Sequence, residues 1–193
     1  MSIWMSSLAL LVAATVMPVA TASLYTESAM RRLMTFDAPE SEPAWVAVND
    51  GVMGGRSRGV AGIAGGHLQF RGQLSRANNG GFSSVRTVGQ AFDFGDATAV
   101  LLRVRGDGRT YQLRLATQAR HRGIAVSYGG EFATIAGQWI EVRVSLHALV
   151  PTVRGTRLDG PPFQPAQVRE IGLLIADKRE GPFALDVDWI ALE

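Results

Sequence analysis

The sequence predicts an all-β domain, built as a β-sandwich or barrel. Three observations carry that expectation. Apolar and polar residues alternate with a period of two over several short segments, as they do in strands with one buried and one wet face. The 22 glycines gather in small groups between those segments, which is turn punctuation. Beyond Pro43 no long apolar repeat of helical period occurs.

The strands read out in order. Val100, Leu102 and Val104 alternate with Leu101, Arg103 and Arg105. Tyr111, Leu113 and Leu115 alternate with Gln112 and Arg114, and Ile140, Val142, Val144 and Leu146 with Glu141, Arg143 and Ser145. Phe183, Leu185, Val187 and Trp189 alternate with Asp186 and Asp188, which predicts a core-facing Trp189. Ile171 to Ala176 is continuously apolar and predicts a central strand covered on both faces. Gly106-Asp107-Gly108 predicts a hairpin, and Gly129-Gly130 and Ala136-Gly137 predict further turns. Short helical turns fit Ser145 to Leu149 and the neighbourhood of Glu170, and Pro161 to Pro165 reads as a loop.

Composition bounds the rest. A chain of 193 residues is one domain's length. Residues Leu8 to Ala20 are almost wholly apolar and end in Ala20-Thr21-Ala22, a small-x-small site. Residues 1–22 therefore read as an apolar leader or signal peptide, 23–35 as a linker and 36–193 as the domain. A leader implies a periplasmic or secreted protein. Translation from Met30 or Met34 would instead give a cytoplasmic one. No stretch is long and uninterrupted enough to be an integral membrane span of the mature domain. Cysteine is absent, which excludes disulfides, thiol nucleophiles and thiolate metal sites. The net charge of +2 is too mild to indicate nucleic acid.

Chemistry concentrates in few places. Trp45 to Ser57 (WVAVNDGVMGGRS) and Asn78 to Arg86 (NNGGFSSVR) mix Asn, Asp, Gly and Ser with large apolar residues. Such loops serve either as tight buttressed turns or as a ligand or partner surface. Gly51 to Ser57 lacks the lysine of a phosphate loop, and His67, His121 and His147 have no metal-ligand spacing. Asp186 and Asp188 fall on one strand face, roughly 6.5–7 Å apart by strand rise. They form either a hydrolase pair or a solvated face. Asp177 and Lys178 follow the apolar strand as a rim pair. Arg103, Arg105, Arg114 and Arg143 take wet positions, forming a basic stripe or a face partly neutralised by Glu141. Trp45, Trp139 and Trp189 are the candidates for a sugar-stacking platform.

The order W-x-x-V-N-D-G-V-M-G-G-R-S, N-N-G-G-F-S-S-V-R, G-D-G-R-T-Y, G-Q-W and I-G-L-L-I-A-D-K-R-E-G-P-F-A-L-D-V-D-W-I resembles the complex I intermediate-associated protein 30 family, from about Phe36 to the end. The resemblance implies a galactose-binding-like jelly-roll β-sandwich. It implies a non-catalytic, chaperone-like assembly factor for the respiratory NADH:quinone oxidoreductase, without a cofactor. Its partner would be a protein, from among respiratory-chain subunits or assembly intermediates. The alternatives are a carbohydrate-binding module and, further off, a hydrolase. The matching positions are Asn49, Asp50, Gly51, Met53, Gly54, Gly55, Ser57, Asn78, Asn79, Gly80, Gly81, Phe82, Arg86, Asp177 and Lys178. The resemblance marks them as signature positions and hypothetical contacts.

Overall fold

A computed structural model describes residues 30–193. The leader at 1–22, and the first part of the linker, lie outside the described residues. Thirteen strands occur: β1 (Arg31–Met34), β2 (Ala44–Asn49), β3 (Arg58–Ala64), β4 (His67–Leu74), β5 (Ser83–Val88), β6 (Ala99–Arg105), β7 (Thr110–His121), β8 (Ile124–Ala133), β9 (Trp139–Ser145), β10 (Val150–Val153), β11 (Thr156–Arg157), β12 (Glu170–Ile175) and β13 (Gly181–Leu192). They form two antiparallel sheets. Sheet A runs β3-β4-β13-β6-β9, and sheet B runs β11-β10-β8-β7-β12-β5-β2. The protein is the all-β sandwich that the alternation predicts.

β1 corrects the linker. Arg31–Met34 pairs with Ile190, Ala191 and Leu192 of β13, in line with β4. It brings Met34 and the following Phe36 into the core at 2% and 0% exposure. The polar, arginine-flanked segment hides this apolar pair from a reading of composition.

Inward positions of the two sheets meet in one core. Leu68 and Phe70 of β4, Leu102 and Val104 of β6, and Leu185 and Val187 of β13 oppose Tyr111, Leu113 and Leu115 of β7 and Ile171, Leu173 and Ile175 of β12. Each such side chain contributes about 1.5–3 kcal/mol by leaving water. β12 is central, between β7 and β5, although its outward Leu174 stays half-buried because, among the described residues, no layer covers sheet B.

Three turn and orientation expectations fail for non-local reasons. Gly106-Asp107-Gly108 joins β6 of sheet A to β7 of sheet B and is a crossover. Gly129-Gly130 lies inside β8. There a Cβ on Gly129 would meet Arg114 Nη1 at 2.5 Å, and one on Gly130 would meet Val144 Cγ1 at 2.4 Å, so the glycines answer to crowding. A bulge between Val187 and Trp189 turns Trp189 to the outer face, where the Arg32 guanidinium covers it 3.6 Å from the ring centroid. The 310 turns at Leu146–Ala148 and Pro165–Gln167 sit near the expected short helices.

Candidate binding surface at the loop end of the sandwich

Five connections meet at one end of the sandwich: β2–β3, β4–β5, β6–β7, β8–β9 and β12–β13. Asp50, Asn49 and Asp177 form three knots among them. Asp50 follows β2 directly and is 0% exposed. Its Oδ1 accepts the Ser57 N–H at 2.9 Å, and its Oδ2 accepts those of Gly81 at 2.7 Å and Phe82 at 3.3 Å. One carboxylate thus closes its own loop and ties in the next. Burial pushes its pKa up, but hydrogen bonding from Ser57 and from the backbone of Gly81 and Phe82 outweighs this and holds it below the usual carboxylate value. Glycine is required around it: a Cβ on Gly55 would fall 2.3 Å from Asp50 Cγ, and one on Gly80 2.5 Å from Oδ2.

Asn49 forms the second knot. Its Oδ1 accepts the Gly59 N–H at 2.9 Å and the Ser83 hydroxyl at 2.6 Å, and its Nδ2 donates to Gly59 O at 3.1 Å. The side-chain amide pairs with β3 as a strand would. Ser57 Oγ donates to Ser75 O at 3.1 Å and accepts the Ser75 N–H at 3.0 Å. Gly51 and Met53 lie in the 310 turn Asp50–Met53, which Gly54 ends at φ +88°.

Asp177 is the third knot, and its partner Arg109 escapes a sequence reading. Arg109 Nε and Nη2 donate to Asp177 Oδ2 and Oδ1 at 2.9 and 2.6 Å, with the two side chains 5% and 9% exposed. Arg109 also donates to Pro182 O at 2.8 Å and to Arg179 O. Burial raises the Asp177 pKa, but the bonds from Arg109 and the Arg179 backbone overcome it and leave it lowered. The Asp177 bond holds the Arg109 guanidinium above its ordinary value. Asp107 accepts the Tyr111 hydroxyl at 3.1 Å and the Ala184 N–H at 2.9 Å. The sequence signals for Arg109 are its place after Gly-Asp-Gly and within the G-D-G-R-T-Y motif.

The outer surface of this end belongs to other residues. Asn78, Asn79 and Lys178 are exposed, at φ 57°, 59° and 63°. The Asn78 amide donates to Gly54 O at 3.0 Å. Phe82 is half-buried. Of the fifteen signature positions, only Arg86 lies elsewhere: it sits on the outer face of β5 and pairs with Glu170 at 3.3 Å.

Sheet A presents a different face. Asp186 is held between Arg71 at 2.6 Å and Arg105 at 2.8 Å, and Asp188 contacts Arg103 at 2.9 Å and His67 Nδ1 at 3.3 Å. Arg143 pairs with Glu193 at 2.8 Å. The neutralising acids are therefore Asp186, Asp188 and Glu193, in place of the expected Glu141. Arg114 leaves the stripe altogether. It lies on sheet B and donates to Ser127 Oγ at 3.1 Å, with burial lowering its pKa. Among the described residues the tryptophans give no free platform. Trp45 packs near Phe36, Trp189 lies under Arg32, and the Arg103 and Arg105 guanidiniums stand 5.6 and 4.9 Å from the Trp139 ring centroid.

Comparison with known proteins adds to this geometry. The sequence model of the family described as complex I intermediate-associated protein 30 matches residues 34–187. Among solved structures, the family 11 carbohydrate-binding module of the cellulosomal cellulase Lic26A-Cel5E of Clostridium thermocellum superposes with a TM-score of 0.62 at 12% identity, covering 84% of this chain and 93% of that one. A solution structure of CtCBM11 gives 0.57 at 14% identity, over 86% and 96%. An agarase, AgWH50C, gives 0.56 at 14%, over 85% of this chain and 24% of its own. At these identities the structures share the fold.

Proposed function

This chain belongs to the complex I intermediate-associated protein 30 family, and we propose that it acts as a non-catalytic binding module in assembly of the respiratory NADH:quinone oxidoreductase. The family match over residues 34–187 carries the reading. The geometry supports it. The two acids that the sequence offers as a hydrolase pair, Asp186 and Asp188, lie on the outer face of sheet A, each engaged by arginine. The signature loops form an ordered surface at one end of the sandwich, suited to a protein partner. The test is affinity isolation of the tagged full chain from respiring cells, followed by native gel separation. Subunits of the oxidoreductase should co-migrate with it in partial assemblies, and deletion of the gene should lower the mature complex. Isolation without any such subunit, together with unchanged levels of the complex, would sink the reading. Fractionation with N-terminal sequencing of the same material assigns the compartment.

A carbohydrate-binding role is the second reading. It is favoured by a hollow of about 210 Å³ on the outer face of sheet B, lined by Thr110, Gln112, Glu131, Ala176 and Asp177. The covered tryptophans place it behind the first. Titration with a β-1,3-1,4-mixed-linked tetrasaccharide, with amide shifts monitored at Gln112 and Glu131, decides it; no shift at saturating sugar removes it.

A further inference from the structure

Acids and bases divide sharply at the loop end. Asp50 and Asp177 are folded inward, onto backbone N–H groups and Arg109. Arg109 is buried with them, while four other bases, Arg56, Arg76, Lys178 and Arg179, are exposed. Among the described residues, none of these four has a carboxylate within 4.0 Å. The one exposed acid of these loops, Glu180, accepts the Arg76 backbone N–H at 2.8 Å. The arginines of the sheet A face differ, since Arg71, Arg103, Arg105 and Arg143 each meet a carboxylate within 2.9 Å.

Hydrogen bonds bring the four bases to the same end. The reciprocal Ser57–Ser75 pair sets Arg56 beside Arg76. The bond from the Arg76 backbone N–H to Glu180 brings the loop that carries Lys178 and Arg179 to the same end. The knots beneath keep this backbone ordered, so binding there loses little conformational entropy. We propose that the loop end, residues 50–57, 75–82 and 177–180, docks a carboxylate-rich segment of a partner protein, with Arg56, Arg76, Lys178 and Arg179 as its counter-charges. The proposal rests on the binding-module reading and names the chemistry of the partner. Phosphate polymers fit less well. The net charge is only +2, and Phe82 is the one aromatic residue in these segments, which leaves no stacking platform. The side-chain amides of Asn78 and Asn79 suit the peptide groups of such a segment.

The test uses the full chain and a fluorescein-labelled peptide of alternating Glu and Gly, with a single-stranded DNA of equal charge as rival. Saturable peptide binding should weaken about tenfold in Arg76→Glu/Lys178→Glu and as salt rises. It should hold within about twofold in Arg122→Glu/Arg154→Glu, which reverses exposed charge on the hairpins at the other end. Matched thermal midpoints verify folding. Should the double reversal unfold, the neutral changes Arg56→Gln and Lys178→Gln serve in its place, each expected to cost about threefold. Equal affinity in wild type and variants, equal loss in the control pair, or tighter DNA than peptide binding overturns the proposal. The peptide arm needs no oxidoreductase, so patch-dependent peptide binding without co-isolated subunits defeats the assembly reading alone. Undiminished co-isolation by the double reversal defeats the patch alone.

Discussion

Asp50 should be the most sensitive acid in the molecule, and its loss should be felt as stability. In Asp50→Ala the buried N–H of Ser57 loses its acceptor, and so do the half-buried N–H groups of Gly81 and Phe82. An orphaned buried donor costs about 1–3 kcal/mol. The two half-buried donors recover part of their loss from water and add about 0.5–1 kcal/mol each. The sum is about 3 kcal/mol, or a fall of about 6–12 °C in Tm for a domain of this size. Urea unfolding followed by tryptophan fluorescence, with calorimetry at neutral pH, reads both quantities. Asp50→Asn should fall in the same direction, because one amide group would face the Ser57 N–H donor to donor. The pH dependence gives an independent check. Folding lowers the Asp50 pKa, so its stabilisation is present above about pH 4 and is lost as pH falls through the depressed folded value. The gap between wild type and Asp50→Asn should therefore narrow progressively as pH falls below about 4. A deficit under about 1 kcal/mol at neutral pH, or a gap that widens on acidification, would refute Asp50 as the knot of these loops.

Arg109→Met leaves the Asp177 carboxylate buried without its partner and should cost about 3–5 kcal/mol by denaturant unfolding; a double change of Arg109 and Asp177 to apolar residues should recover much of that, and a milder loss in the single variant would deny the pair its role. Gly54→Val and Gly81→Val should each cost about 1–3 kcal/mol through their φ of +88° and +127°, whereas Gly55→Ala should destabilise through its clash with Asp50; Tm values equal to wild type would contradict both causes. Asp186→Asn should cost only about 1 kcal/mol, because Arg71 and Arg105 are partly exposed, and it should change no hydrolysis of any glycoside above background; a wild-type glycosidase activity lost in this variant would reopen catalysis.

The sandwich was legible because alternation is a local signal. Leu102 and Val104, or Leu113 and Leu115, declare their face from their neighbours alone. Ile171 to Ala176 declared its central place in the same way. What failed depended on distant atoms. Gly129 is small because Arg114 lies across it, and Gly130 because Val144 crosses beneath. Neither constraint is local to the Gly-Gly pair, which reads as a turn. Gly106 to Gly108 resembles a hairpin turn, yet the chain must deliver Arg109 to Asp177, which lies 68 positions further on. That pairing belongs to the other sheet. Trp189 left the expected face because one bulge breaks the period of two.

The signature loops were legible as places but not as directions. Asn49-Asp50-Gly51 and Asn78-Asn79-Gly80 are nearly the same string, and composition treats them alike. In the fold, Asn49 and Asp50 turn inward to bind Gly59, Ser57 and Gly81, while Asn78 and Asn79 turn outward on left-handed backbone. The difference follows from position. The first pair ends a strand whose next residue enters the seam between the sheets, and the second sits at the crest of a loop that the first pair has already tied down. A string of Asn, Asp and Gly thus marks where the connections are knit. In the proposed docking, recognition would fall to the charged residues set between the knots, Arg56, Arg76, Lys178 and Arg179, of which the signature positions include only Lys178.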